Sequence, residues 1–302
     1  MKCVACVVMI VACATRSTTA QETPFAEEVT QWRATREEKL KAANGWLSLV
    51  GRYPLREGST SFGTGKENDV VFPAALTGTG PDRLGTLIVD AQAKTVTLRL
   101  AEGVTMRSVS DGQPFTGERR LGTATDKRDW VQLERLALHV IHRDGKFILR
   151  LADNESPNRT QFPGCQWYPP DESYRVEARF VPYPAGKTLS IVNIIDEVSQ
   201  QPCAGYAEFE LHGATHRLDA IREGDGLFFV FRDATAGDTT YGSARFIDID
   251  KQPAANATFI LDFNKAYNPP CAFSEYTTCP LPPRQNILKI RIEAGEKFQK
   301  AQ

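Results

Sequence analysis

The chain has 302 residues, 41% of them hydrophobic and 24% charged, a balance that excludes a disordered chain and supplies apolar side chains for one large core or two smaller ones. Its formal net charge of −1 gives no basic field of the kind that draws phosphate backbones or anionic lipid. Nucleic acid is therefore not an expected partner.

Residues 1–20 read as an export leader: Lys2 is the charged start, Cys3 to Ala14 is an apolar run too short to span a bilayer, and small polar residues follow to Ala20. Two cleavage sites compete, one after Thr18-Thr19-Ala20 and one before Cys13 in Ile10-Val11-Ala12-Cys13, which resembles a bacterial lipoprotein box. Lipidation of Cys13 would tether the protein to a membrane surface, the single membrane contact the sequence offers. The expected location is periplasmic or membrane-anchored, alternatively secreted. Beyond the leader stand Cys165, Cys203, Cys271 and Cys279, an even number in an exported chain, and the expected disulfides are Cys271–Cys279 and Cys165–Cys203.

In chain order, Pro24 to Ala43 places Phe25, Val29, Trp32 and Leu40 at helical spacing, with Arg33–Glu37 and Glu37–Lys41 available as i,i+4 pairs. Asn44-Gly45 ends this helix as a left-handed cap would. The pattern then changes to short alternating runs broken by Gly, Pro and Asp, which predicts strands over Trp46–Tyr53, Leu84–Asp90, Lys94–Leu100 and Val104–Val109. Trp130–His142 and Lys146–Leu151 form a hairpin about Asp144-Gly145, and six further strands follow between Tyr174 and Ile249. Ile287–Ile292 is the last predicted strand, with Ala294 to Gln302 a charged tail. The fold class is mainly β: two packed sandwich or barrel-like units with one N-terminal helix, divided between Leu121 and Trp130, so that 24–125 and 126–302 are the two units.

Within the first unit, Leu55-Arg56-Glu57-Gly58, Phe62-Gly63 and Asn68 to Pro73 resemble the opening of a forkhead-associated domain, a β-sandwich whose family binds phosphothreonine. Thr64 stands where that family has its Arg, and no Ser-x-x-His follows, so the resemblance implies the sandwich and not the phosphopeptide site.

No Gly-x-Ser-x-Gly elbow, His-Glu-x-x-His or dinucleotide Gly triplet is present, and no cofactor or metal is expected. His139 and His142, three apart on a strand, face opposite ways, and His212 and His216 flank a turn without a third ligand. The polar loop 153–159 is read equally as a solvated connection or as part of a site. Two other segments carry more chemistry. Arg232, Asp233, Tyr241 and Arg245 exceed what turn-forming explains. Asp262, Asn264, Tyr267, Asn268 and Asn286 are set among Pro269-Pro270 and Pro280 to Pro283, where proline fixes the backbone and removes donors. These nine residues are the candidate ligand site. Each group reads equally as a satisfied structural network.

The run Gly45-Trp46-Leu47-Ser48-Leu49-Val50-Gly51, the 153–159 loop, the Arg232 to Arg245 run, Leu261-Asp262-Phe263-Asn264 with Tyr267-Asn268-Pro269-Pro270-Cys271, Cys279 to Pro283, Asn286 and Ala294 to Lys297 together resemble the exported bacterial proteins catalogued as domain of unknown function 1684. That resemblance implies export and a functional Pro-rich stretch, and no activity. The expected function is a cell-envelope binding or interaction module for a small ligand or envelope component, using a site between the 232–245 and 262–286 segments. The alternative is a hydrolase-like enzyme in which Asp233 and Asp262 share acid-base work beside Arg232 or Arg245, which requires the two carboxylates to converge in an open cleft.

Overall fold

Asp144 and Gly145, both at positive φ (50° and 74°), turn the chain in two residues and fix the register of the hairpin they join, with Arg143 opposite Lys146. The computed structural model describes residues 24–124 and 127–298; the expected leader and Cys13 lie outside them. Helix α1 (Phe25–Lys41) comes first, and Asn44 follows it at φ 58°, the expected left-handed stop.

The first unit contains β1 (Leu49–Leu55), β2 (Gly58–Gly63), β3 (Val70–Val71), β4 (Gly85–Asp90), β5 (Thr95–Leu100), β6 (Met106–Ser108), β7 (Pro114–Phe115) and β8 (Glu118–Leu121). It is completed by β9 (Val131–Leu133), β10 (Leu136–Arg143) and β11 (Lys146–Asp153). One sheet runs β1-β11-β10-β9-β6-β7 and the other β3-β2-β4-β5-β8. Side chains alternate across each strand, so Phe62, Leu87 and Leu98 from one sheet meet Leu138, Val140, Leu149 and Leu151 from the other in a single core. The predicted division between Leu121 and Trp130 is corrected by these ladders: β9 to β11 pair with β1 and β6, so the first unit runs to Asp153.

After the short helix α2 (Pro157–Thr160), the second unit holds β12 (Gln166–Trp167), β13 (Arg175–Pro182), β14 (Thr188–Val192), β15 (Val198–Leu211) and β16 (Ala214–Glu223). It continues with β17 (Gly226–Phe231), β18 (Arg245–Ile249), β19 (Thr258–Asp262) and β20 (Glu296–Lys297). The main sheet runs β18-β17-β16-β15-β13-β19. The long strand β15 serves two partners along one edge, its first half pairing with β14 and its second with β13, while its ladder with β16 on the other edge shifts register between Cys203 and Gly205. A Cβ at Gly205 would meet the Val181 carbonyl at 2.3 Å, so only glycine permits that crossing. One face of the sheet buries Phe180, Phe209, Phe229 and Phe231; the other carries Ile191, Ile221, Val230 and Phe246.

Three further expectations are corrected. Arg33 and Glu37 do not pair on the helix surface: Arg33 donates to the Tyr168 carbonyl (2.9 Å) and Glu37 accepts from the Cys165 amide and the Trp167 indole (3.1 and 3.2 Å), so both fix α1 to the second unit. Ile287–Ile292 is not a strand, because its apolar side chains Leu288 and Ile292 enter the core and the Ile292 amide is taken by Asp233 instead of a neighbouring strand. The segment after it is not a free tail as far as residue 298, since Ala294 and Glu296 are buried.

Candidate functional site

The nine candidate residues divide sharply. Arg245 and Asp233 form an ion pair at 2.5 Å with both side chains 1% exposed. Arg245 also donates to the carbonyls of Ala294 and Ile292, and Asp233 accepts from the amide and hydroxyl of Thr235 (2.8 and 2.6 Å). This charge-assisted network holds the C-terminal segment on the second sheet. Arg232, exposed, contributes only its backbone to a bridge with Ile287, and the Tyr241 hydroxyl donates to the Cys271 carbonyl at 3.2 Å.

Asp262 caps its own turn by accepting from the amide and side chain of Asn264, both at 2.9 Å, and Asn264 in turn donates to the Asp171 carbonyl. Asn286 spans two strands, accepting from the Asp219 amide (2.7 Å) and donating to the carbonyls of Asp219 and Val230 (2.9 Å each). The Asn268 carbonyl accepts from Arg36 at 2.9 Å, its amide donates to Glu296 and its side chain donates to the Lys297 carbonyl. In these residues the Pro-rich stretch satisfies backbone that cannot bond as a sheet. Asp233 pairs with Arg245 and Asp262 accepts from Asn264 through Oδ1, its Oδ2 being buried without a partner; both are buried and neither lines the cleft described below.

The 153–159 loop is likewise structural: Asp153 pairs with Arg135, Asn154 exchanges hydrogen bonds with Asn44, and Ser156 donates to the Leu47 carbonyl. Neither expected disulfide is present, and the four described thiols are free. Cys165 lies beside Glu37 and Glu296 under α1, whereas Cys203 donates to the Gly205 carbonyl within β15, so these two thiols occupy separate surroundings. Cys271 and Cys279 do adjoin, the Cys271 amide donating to Cys279 Sγ at 3.1 Å. The hydrogen bond from the Cys279 thiol favours a thiolate at Cys271 and lowers its pKa, while Cys279 is pushed far up by Cys271 and by burial.

The cleft lies elsewhere. Strands β10 and β11 are buried on both faces, one by the first core and one by the second unit, and between the two units a cavity of about 560 Å³ remains. Tyr267 is the one candidate residue on its wall; its hydroxyl donates to Asp248 at 2.7 Å and its ring lies 4.4 Å from the Arg36 guanidinium. The second unit supplies an apolar wall from Ile191, Ile221, Phe228 and Phe246, with the two Phe rings edge-to-face at 4.8 Å. Facing it, the first unit presents Trp130 packed at a tilt against His139 (4.0 Å between rings), Arg150, and Arg128 lying over Trp46 at 4.6 Å. Lys146 and Glu197 close one edge with an ion pair across the two units.

Charge on that wall is unbalanced. Burial, then the neighbouring Arg52 and Arg128, lower Arg150 to about 10; burial, then Arg128 and Arg150, hold His139 at about 3 and so keep it neutral. Sequence reasoning misses Arg52, Arg128 and Arg150. A signal for Arg150 does exist: it interrupts the apolar run Phe147-Ile148-Leu149 and Leu151, and the two-residue turn sets it opposite His139.

Residues 160–297 match the model of the family described as protein of unknown function, DUF1684. Among solved structures, the solution NMR structure of an uncharacterized protein from Haloarcula marismortui is similar at 33% identity, covering 46% of this chain and 79% of that chain, with a TM-score of 0.40. A comparison with curated proteins finds no match. Through residues 160–297, a span that begins just after the first unit and takes in the whole second sheet and its Pro-rich strap, the chain belongs to the DUF1684 family.

Proposed function

We propose that this protein is an exported binding module of the cell envelope, and that its small ligand occupies the cleft between the two β units. The observation that carries the reading is the cleft itself. Its volume of about 560 Å³ falls in the ordinary range for small-molecule sites, and it sets an apolar patch of Ile191, Ile221, Phe228 and Phe246, rimmed by Glu197, Glu223 and Asp248, against a wall that carries Arg128, Arg143 and Arg150. Such a pairing orients a ligand by its polar end while burying its apolar body. The leader-like residues 1–20 support the location. The rigid strap formed by 262–286 supports the site indirectly: it delivers Tyr267 and Cys279 to the wall and fixes them there.

A thermal-shift screen of small polar-headed metabolites and envelope glycan fragments tests the site when run on the wild-type protein and on Ser199→Trp, which fills the cleft from its rim. A compound that raises the melting temperature of the wild type and not of the variant is the expected result. A panel without any stabiliser, or stabilisers that act equally on both proteins, would overturn the reading. Mass spectrometry of the mature N-terminus tests the location, and an uncleaved leader would refute export.

A further inference from the structure

The outer face of the first sheet carries its basic groups in a row. Arg52 on β1 lies opposite Arg150 on β11, and Arg150 lies opposite His139 on β10. Directly opposed residues of antiparallel strands share a face, with Cβ atoms about 5 Å apart, and like charges so placed oppose folding. A buried arginine ordinarily has a carboxylate beside it, because the cost of desolvating a lone charge is several kcal/mol on general grounds. Arg150 is 5% exposed and has no ion pair or hydrogen bond among the described residues, and its Nη1 is buried without a partner. Arg52 Nε and His139 Nδ1 are buried and unpartnered in the same way, and His139 is 4% exposed.

Among the described residues, none of the groups that face this row is ion-paired with it. Arg128 and Arg143 add positive charge from the first unit. From the second unit come the Cys279 thiol, kept protonated by Cys271 and by burial, Glu223, Asp248, which accepts from Tyr267, and Glu197. Glu197 attracts Arg52, but its oxygens are taken by Lys146 and by the Asn193 amide at 3.0 Å, while Asp144 of the first unit pairs with Arg143. Arg150 and His139 on the cleft wall, with Arg52 beside Arg150 in the row, thus keep buried donors without partners, and among the described residues no carboxylate makes an ion pair or hydrogen bond with them.

We propose that Arg52, Arg150 and His139 form an oxyanion subsite that receives the phosphate or carboxylate head of a small amphiphilic ligand, whose apolar part lies against Ile191, Ile221 and Phe228. The proposal rests on the reading of the cleft as the ligand site and names the chemistry of what enters it. Guanidiniums match planar or tetrahedral oxyanions with paired N–H donors, and in a site shielded from water such contacts are stronger than at a surface. The neutral imidazole adds a donor without adding to the repulsion. Trp130 packs against His139 with the two rings 4.0 Å apart and tilted by 50°.

Phenyl phosphate, benzoate, inorganic phosphate and phenol are titrated into the full chain, with binding followed by calorimetry and by tryptophan fluorescence. Phenyl phosphate or benzoate should saturate the site, whichever wins identifying the head group, with inorganic phosphate weaker and phenol silent. Arg150→Met and Arg52→Met should each weaken the preferred anion about tenfold or more, the loss expected for one charge-assisted contact, while Arg99→Met in the other sheet leaves binding unchanged. Because a buried unpaired cation is removed, Arg150→Met should remain folded, and Arg52→Met gives a second route to the same answer. If phenol binds as well as the anions, is blocked by Ser199→Trp and ignores both arginine variants, the subsite is overturned and the cleft stands. If anions bind equally to wild type, Arg150→Met and Ser199→Trp, both are overturned. If no oxyanion binds, the subsite is overturned.

Discussion

Arg150→Met should make the unliganded protein more stable. The substitution keeps an unbranched apolar side chain of similar length in β11 and removes only the guanidinium. Burial and the neighbouring Arg52 and Arg128 bring Arg150 from 12.5 to about 10, which at about 1.4 kcal/mol per pKa unit is roughly 3 kcal/mol held against the charged form in the fold. Arginine remains charged at neutral pH, so the folded protein carries that cost. Some of the gain is lost because methionine fills the space imperfectly. A net stabilisation of about 1–2 kcal/mol is expected, or a rise of about 2–6 °C in melting temperature for a chain of this size. Thermal and urea unfolding measure it directly. Destabilisation by more than about 1 kcal/mol would refute the reasoning, because it would mean that the guanidinium is satisfied in the fold and contributes to it. The same variant separates a structural arginine from one kept for a ligand: the first loses stability, the second gains it and loses binding.

Three other outcomes follow from the same geometry. His139 has a folded pKa of about 3 against an ordinary 6.5, so the unfolded chain binds the extra proton between those values. Its contribution to stability is complete above about pH 6.5 and is lost as pH falls towards 3, at up to about 1.4 kcal/mol per pH unit; His139→Asn should flatten that limb of the stability curve, and identical limbs in both proteins would contradict the assignment. Asp233→Asn or Arg245→Met breaks a pair in which both side chains are 1% exposed and should cost about 3–5 kcal/mol, with limited proteolysis showing a loosened 290–297 segment. Asn286→Ala strips partners from the Asp219 amide and from two buried carbonyls and should cost roughly 2–3 kcal/mol in urea unfolding; a loss below about 0.5 kcal/mol would show that water replaces those bonds.

What could be read from the sequence was local. The Asp144-Gly145 turn, the left-handed stop at Asn44 and the alternating strands are each determined by a few adjacent residues, and the structure keeps them. The 232–245 and 262–286 segments were legible as places where polar groups are rigidly held; whether they hold one another or a ligand depended on partners such as Ile292, Ala294 and Asp171, far along the chain. The unit boundary was placed too early for a related reason, since nothing near Trp130 shows that β11 returns to pair with β1. The arginine row needs both kinds of information. The hairpin turn places His139 opposite Arg150, but the pairing that adds Arg52 spans almost a hundred residues, and the second unit that buries the row comes later still. Arg33 misleads in the opposite direction, having the spacing of a surface pair and the location of a buried tie.

The most direct measurement is a crystal structure of the protein soaked with phenyl phosphate. The phosphate should lie between the two β units with oxygens about 3 Å from the guanidiniums of Arg150 and Arg52 and the phenyl ring against Phe228. An empty cleft, with phosphate bound at another surface, would contradict the assignment of this site.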